Sequence, residues 1–237
     1  PDADDPAVLR VSTDRDGLKR DVFQRLSASG ERVTPVQVER ELARLERSEA
    51  ALAAMRMVEA AGGSATYHSV NLLDAEGVAD VVAGVVDRHG RVDVLVHAAG
   101  LEVSRRIEDK PDEEFDRVFD VKADGWFNLH RALSSTPLGA AVVFSSVAGR
   151  FGNAGQTDYS AANDFLVKAA SSLSGTRGVR SLAVDWTAWR DIGMAWRGSI
   201  PRMMAAAGID MLPPEAGLPV VGRELRFDSG FREIVVG

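Results

Sequence analysis

The chain has no cysteine among its 237 residues, which excludes disulfides, thiolate catalysis and zinc–thiolate sites. That absence suits a reducing cytoplasm. Its four histidines, His68, His89, His97 and His130, show no ligand-like spacing, so no metal site is expected. No apolar run approaches the roughly 18 residues that a membrane helix needs, and the opening PDADDPAV is not a signal peptide. Positive charge is in short supply. The net charge of −7 argues against a nucleic-acid surface. The dinucleotide fingerprint G-x-G-x-x-G is also missing. What is present, 45% apolar and 27% charged residues, reads as one globular α/β domain with a single core.

Residues 1–33 are polar and turn-rich and read as an irregular lead-in with one helical candidate, DGLKRDVFQRL at 16–26. The segment 34–63 is strongly punctuated as a helix. Thr34 suits the N-cap, Pro35 the first helical position, and Gln37 completes a capping box. Leu42, Leu45, Leu52 and Met55 form an apolar stripe that would pack on a sheet, and Gly62-Gly63 ends it.

From residue 64 the pattern alternates. Strands are expected at 64–71, 92–100, 139–146, 179–186 and 232–237, and helices at 74–90, 111–133, 157–173 and 213–225. Continuous β-branched runs separated by helices indicate a doubly wound parallel sheet covered on both faces. Ligands then belong beyond the carboxyl ends of the strands. That edge carries His97-Ala98-Ala99-Gly100, Ser145-Ser146 and Trp186.

The loop Gly149-Arg150-Phe151-Gly152-Asn153-Ala154-Gly155 follows a strand and precedes a helix, but its glycine spacing is wrong for a phosphate cradle. Its glycines serve a sharp turn into the next helix. There Tyr159 and Asn163 stand one helical turn apart, thirteen residues and more after Ser146.

With VDVLVHAAG, FSSVAG and Tyr159-Ser160-Ala161-Ala162-Asn163 in that order, the chain resembles the short-chain dehydrogenase/reductase family. More narrowly it resembles the ketoreductase domains of modular polyketide synthases and polyunsaturated-fatty-acid synthases. The broad family pairs Tyr-x-x-x-Lys with an asparagine on the preceding helix; the synthase ketoreductases exchange those two side chains. Here the exchange is Asn163 after Tyr159, with Lys122 in DVKADGWFNLH. GNAGQTDYSAAN, DWTAW…GM and GERVTP match the fatty-acid-synthase-like branch. The resemblance covers about residues 16–237.

It implies a Rossmann-like fold, NADPH as cofactor, and reduction of a 3-ketoacyl thioester. The substrate would ride on the phosphopantetheine arm of an acyl carrier protein, with other synthase domains as partners. It also implies cofactor contacts at Asn71, where the family usually has an aspartate near the adenine, at Ala98, Ala99 and Gly100, and at Lys122 and Tyr159. The chemistry supports those roles independently. A ketone accepting hydride develops alkoxide charge, so the site needs a proton donor and an oxyanion stabiliser. Tyr159 suits the acid, its phenol brought down from pKa ~10 by a nearby ammonium, for which Lys122 is the candidate. Ser146 would donate to the substrate carbonyl. Asn163, able to donate and accept, would position the lysine and a water.

Between the strand ending at Trp186 and the helix near 213, Met194, Trp196, Met203, Met204 and Met211 suit an adaptable lid. Arg190, Arg197 and Arg202 suit a phosphate or an acidic carrier. The pattern departs from the family in two respects. The first two strands and the Gly-rich turn are absent, so the sheet is expected to have a gap beside the strand at 92–100 and to meet a strand from outside this sequence there. Stereochemical markers are also lacking: LEVSRR follows Gly100, and Phe151 stands where one ketoreductase type has tryptophan. The alternative reading is a non-catalytic ketoreductase-like scaffold. A nucleotide-sugar epimerase fits less well, because Asn163 stands where those enzymes keep lysine.

Overall fold

The computed structural model describes residues 1–28, 33–194, 200–206, 208–227 and 229–237. They form two compact units, Pro1–Ser69 and Val70–Gly237, where the composition suggested one core.

The first unit contains α1 (Pro6–Leu9), α2 (Arg15–Ser27) and α3 (Pro35–Ala60). The capping box at Thr34 and Gln37 forms, with both reciprocal bonds in place. Residues 1–28 of the expected irregular lead-in at 1–33 are therefore mostly helical. Asp5 and Asp14 cap α1 and α2 by accepting from Ala7 and Gly17 backbone N–H groups, which satisfies donors that helix starts leave open. The stripe on α3, expected to pack on a sheet, finds its cover within its own unit. Val38, Leu42 and Leu45 bury themselves against Val8, Leu18 and Val22 of the two preceding helices.

The second unit carries the sheet. Its elements are α4 (Ala75–His89), β1 (Val92–His97), a 3-10 turn (Ile107–Asp109), α5 (Asp112–Ala132), β2 (Leu138–Ser146), α6 (Val147–Phe151), α7 (Thr157–Arg177), β3 (Arg180–Trp186), α8 (Ile200–Ala206), α9 (Pro214–Phe227) and β4 (Glu233–Val236). The strands run parallel in the order β1-β2-β3-β4. Alternate residues of each strand face opposite layers. Ala141, Val143 and Ala183 meet Trp126 of α5 and Leu166, Ala170 and Leu173 of α7. Val142, Leu182 and Val184 turn the other way, with Val221 and Leu225 of α9 packed against them. Burial on both faces is why these strands are continuous apolar runs.

The strand expected at 64–71 is not formed. A strand is held by its ladder, and this polar stretch has none; Tyr67 is 49% exposed. It leads instead into a turn in which Asn71 Oδ1 accepts from Leu73 N at 3.2 Å. Among the described residues β1 pairs only with β2, so it is an edge strand, with Val94 and Val96 half exposed.

Candidate active site

The site assembles where β1 and β2 end and α7 begins. α5 buries Val118, Lys122, Ala123 and Trp126 on one face, so the helical period places a lysine in a row of apolar side chains. Lys122 is 3% exposed. Its Nζ donates to Phe144 O of β2 at 2.9 Å and lies 6.0 Å from the centre of the Tyr159 ring. Burial lowers its pKa from 10.5 to about 8. The main chain beneath it is fixed too. His97, 1% exposed at the end of β1, makes a 3.1 Å hydrogen bond between Nε2 and Lys122 O. Burial holds the His97 ring at about 4, hence neutral, so Nε2–H is the donor.

Gly100 sits against the same lysine. A Cβ there would lie 2.9 Å from Lys122 Cε and 3.3 Å from Nζ. The ammonium stem fills the space a side chain would need, which is a structural reason for glycine additional to cofactor approach.

β2 ends at Ser146, which caps α6 by accepting from Ala148 N at 3.1 Å. That bond uses a lone pair and leaves the hydroxyl hydrogen available. Gly149 of α6 lets the two helices touch: a Cβ there would stand 2.7 Å from Asn163 Cβ. Asn163 is fully buried and donates Nδ2 to Tyr159 O, one turn back, at 2.8 Å. Its Oδ1 is buried with no partner among the described residues. Ser145 Oγ donates to Asn163 O at 3.2 Å, tying α7 to the sheet.

The Tyr159 phenol is pushed up by burial; Ser146 and Asn163 pull it down, and Glu102 pushes it up again. The expectation of a lowered phenol is therefore not met, because burial outweighs its neighbours. For a proton donor this direction is useful: the phenol holds its proton at neutral pH. Chemically, the patch presents an acid (Tyr159), a hydroxyl donor (Ser146) and a cation (Lys122) around one strand edge.

The other expected residues are less closely gathered. Ala98 is exposed, with Ala99 and Gly100 half-buried after β1. Asn71 spends its side-chain acceptor on its own turn. Trp196, Arg197 and the side chain of Met203 lie outside the described residues. Met194 is 38% exposed, and Met204 and Met211 are half-buried. Arg190 pairs with Glu215 at 3.1 Å. No group of metal-ligating side chains occurs among the described residues. No described helix is long and apolar enough to cross a membrane.

Sequence reasoning missed a buried ion pair beside Tyr159. Lys110 Nζ lies 2.5 Å from Asp158 Oδ2, with both side chains fully buried. The only signal was an acid in the first turn of α7, which many helices carry.

Comparison with known proteins identifies the family of the chain. A family profile described as "KR domain" matches residues 16–191. The chain belongs to the KR domain family. Over 236 residues this KR chain is 33% identical to a component of the polyunsaturated fatty acid synthase of Thraustochytrium sp., covering 99% of the chain and 8% of that much longer protein. A ketoreductase from the first module of phoslactomycin biosynthesis in Streptomyces sp. HK803 superposes with a TM-score of 0.67 at 26% identity, covering 73% of the chain and 40% of that one. A short-chain dehydrogenase from Burkholderia cenocepacia, solved in complex with NADP, shares the fold alone. It superposes with a TM-score of 0.67 at 21% identity, covering 78% of the chain and 80% of that one. The Rossmann-like ketoreductase reading of the sequence is thereby borne out, and this KR chain spans less than half the length of the first two relatives.

Proposed function

We propose that this chain is the catalytic part of a ketoreductase that uses NADPH to reduce a 3-ketoacyl thioester, carried on an acyl carrier protein, to the 3-hydroxyacyl thioester. Its setting is a cytoplasmic multidomain polyketide or fatty-acid synthase, whose other domains are its partners. The observation that carries the reading is Tyr159, its phenol kept protonated by burial, next to Ser146 and to an ammonium buried without a carboxylate partner among the described residues.

The residues at the redox end suit a nicotinamide cofactor. Lys122 has two N–H donors beyond the one on Phe144 O. Asn163 offers an unpaired acceptor, and Ala98 to Gly100 leave the strand end free of bulk. Lys122, Tyr159, Asn71 and Ala98 to Gly100 are the residues assigned to hold it. Among the described residues no Gly-rich turn forms a pyrophosphate cradle. NADPH, when bound, supplies the hydride.

The protein's own part is proton delivery and charge stabilisation. Ser146 donates to the ketone oxygen and orients it. Tyr159 gives its proton to that oxygen as alkoxide charge develops. Lys122, whose Nζ lies 6.0 Å from the centre of the Tyr159 ring, then stabilises the phenolate left behind. Asn163 holds the first turn of α7, and so Tyr159, through its bond to Tyr159 O. A non-catalytic scaffold has no physical use for an isolated buried ammonium, which is costly to keep.

The test is NADPH oxidation with a 3-ketoacyl thioester, in the natural polypeptide context. Tyr159→Phe is expected to lower kcat by at least about 10²-fold, the usual scale for losing a general acid, with NADPH affinity largely retained. Undiminished turnover in that variant would overturn the assignment.

A further inference from the structure

We propose that the buried Lys110–Asp158 ion pair is a positioning device that clamps the loop after β1 onto the first turn of α7 and so fixes Tyr159 and its electrostatic surroundings. The inference rests on the reading of Tyr159 as proton donor.

The clamp has two charged jaws. Asp158 is the second residue of α7 and is completely buried. Its Oδ1 accepts from Tyr159 N at 2.9 Å, and its Oδ2 takes Lys110 Nζ at 2.5 Å. The helix needs such an acceptor, because its N-cap residue Gln156 makes no side-chain cap bond. Gln156 is occupied elsewhere: its Nε2 donates to Glu102 Oε1 at 2.9 Å and Ser104 Oγ at 3.2 Å.

Lys110 holds the other side. It ends the 3-10 turn Ile107–Asp109, and its Nζ also donates to Val103 O at 2.8 Å. One ammonium thus ties the loop to itself and to α7. A backbone bond from Arg105 N to Gly155 O at 2.8 Å continues the same seam. Residues 102–110 and 155–159 are stitched along their length, with the ion pair at the end nearest Tyr159.

Stability alone does not explain the pair. Apolar residues of similar volume often serve as well as a buried ion pair, or better. What an apolar pair cannot do is accept from Tyr159 N or keep the charge around the phenol balanced. The charged groups that act on that phenol are Lys122 from α5 and Glu102 from the loop, while Asp158, the residue before Tyr159 in α7, is paired with Lys110. Arg105 is held by Glu114. Removing one member of the pair leaves the other's charge uncompensated beside Tyr159.

The test uses Lys110→Met, Asp158→Asn and the double variant, in the natural polypeptide context. The readouts are the pH profile of kcat with a ketone substrate, the KM for NADPH, and a thermal melt. In the direction of reduction the rate falls on the alkaline side as the Tyr159–Lys122 pair loses its proton. Lys110→Met strands a carboxylate and moves that limb up. Asp158→Asn strands an ammonium and moves it down. Each displacement is expected at roughly half a pH unit to one. The double variant returns the limb to its original place, while kcat stays about 10-fold or more below the parent because the clamp is gone. NADPH KM stays within a few-fold of the parent.

A limb that does not move, or moves the same way in both single variants, overturns the proposal. So does a double variant with parental kcat. Where a single variant does not fold, the double variant and Lys110→Arg decide. Lys110→Arg keeps the limb but loses rate through altered geometry, and full rate in it refutes the clamp. Tyr159→Phe separates the two failures. If it abolishes turnover while the pair variants behave as the parent, only the clamp is wrong. If it retains turnover, the function assignment fails.

Discussion

Replacing Lys122 with methionine should make the second unit more stable while removing its activity. Burial lowers the ammonium from 10.5 to about 8. At about 1.4 kcal/mol per pH unit, holding the charged form at neutral pH costs on the order of 3 kcal/mol. Methionine has similar length and no charge to desolvate. Against that gain stands the lost bond to Phe144 O, worth about 1–2 kcal/mol if the carbonyl is left short of a donor. The net expectation is about 1–2 kcal/mol of stabilisation, or a few degrees in Tm at about 2–4 °C per kcal/mol for a chain of this size.

The pH dependence identifies the cause. The folded state releases the Lys122 proton near 8, the unfolded state near 10.5. Between those values the unfolded state holds more protons, so stability of the parent rises with pH over that window. Lys122→Met lacks this rise, and the gap between the two proteins narrows from pH 8 to 10. Thermal melts of the nucleotide-free proteins at pH 7, 8, 9 and 10 measure it. A variant that melts at or below the parent, with a gap independent of pH, refutes the reasoning that the lysine is charged at a cost.

Two further expectations concern the framework. Burial lowers His97 from 6.5 to about 4, so the unfolded state holds more protons between those values and the parent loses stability as pH falls through them, by up to about 3 kcal/mol. His97→Gln keeps an N–H donor for Lys122 O and escapes that loss. Asp185, raised to about 6 by burial, pulls the opposite way in both proteins and cancels when urea melts at pH 7 and 4.5 are compared; equal acid sensitivity would contradict the account. Gly149→Ala forces a Cβ to within 2.7 Å of Asn163 Cβ and 3.0 Å of Asp164 N. It should part α6 from α7 at a cost of about 1–3 kcal/mol, seen as a lower Tm and reduced turnover, whereas an unchanged melt would show that the helices have slack.

The sheet and its helices were legible because periodicity and capping are local. The Thr34 capping box and the strand starts at 92, 138 and 180, expected at 92, 139 and 179, follow from neighbouring residues alone. What a stripe packs against is not local. Leu42 and Leu45 announced an apolar face, but nothing in α3 says that α1 and α2 cover it rather than a sheet. The stretch 64–71, with Thr66, Tyr67 and Val70, read as a strand, yet a strand exists only with a partner, and no described residue supplies one. At the site, Lys122, Ser146, Tyr159 and Asn163 were legible as a pattern in sequence order. Their environments were not: the raised phenol at Tyr159 comes from packing. Lys110 and Asp158 stand 48 residues apart in sequence, and only the folded chain brings them together.

The central claim is transfer of hydride to a ketone at this site. Its most direct measurement is the mass spectrum of the product formed from a carrier-bound 3-ketoacyl thioester and NADPH deuterated at C4 of the nicotinamide, in the natural polypeptide context. The account predicts a 3-hydroxyacyl thioester carrying one deuterium at C3 when the transferable position is labelled, and none from the Tyr159→Phe protein. Recovery of unreduced thioester from the parent, or of labelled product in equal yield from Tyr159→Phe, would contradict it.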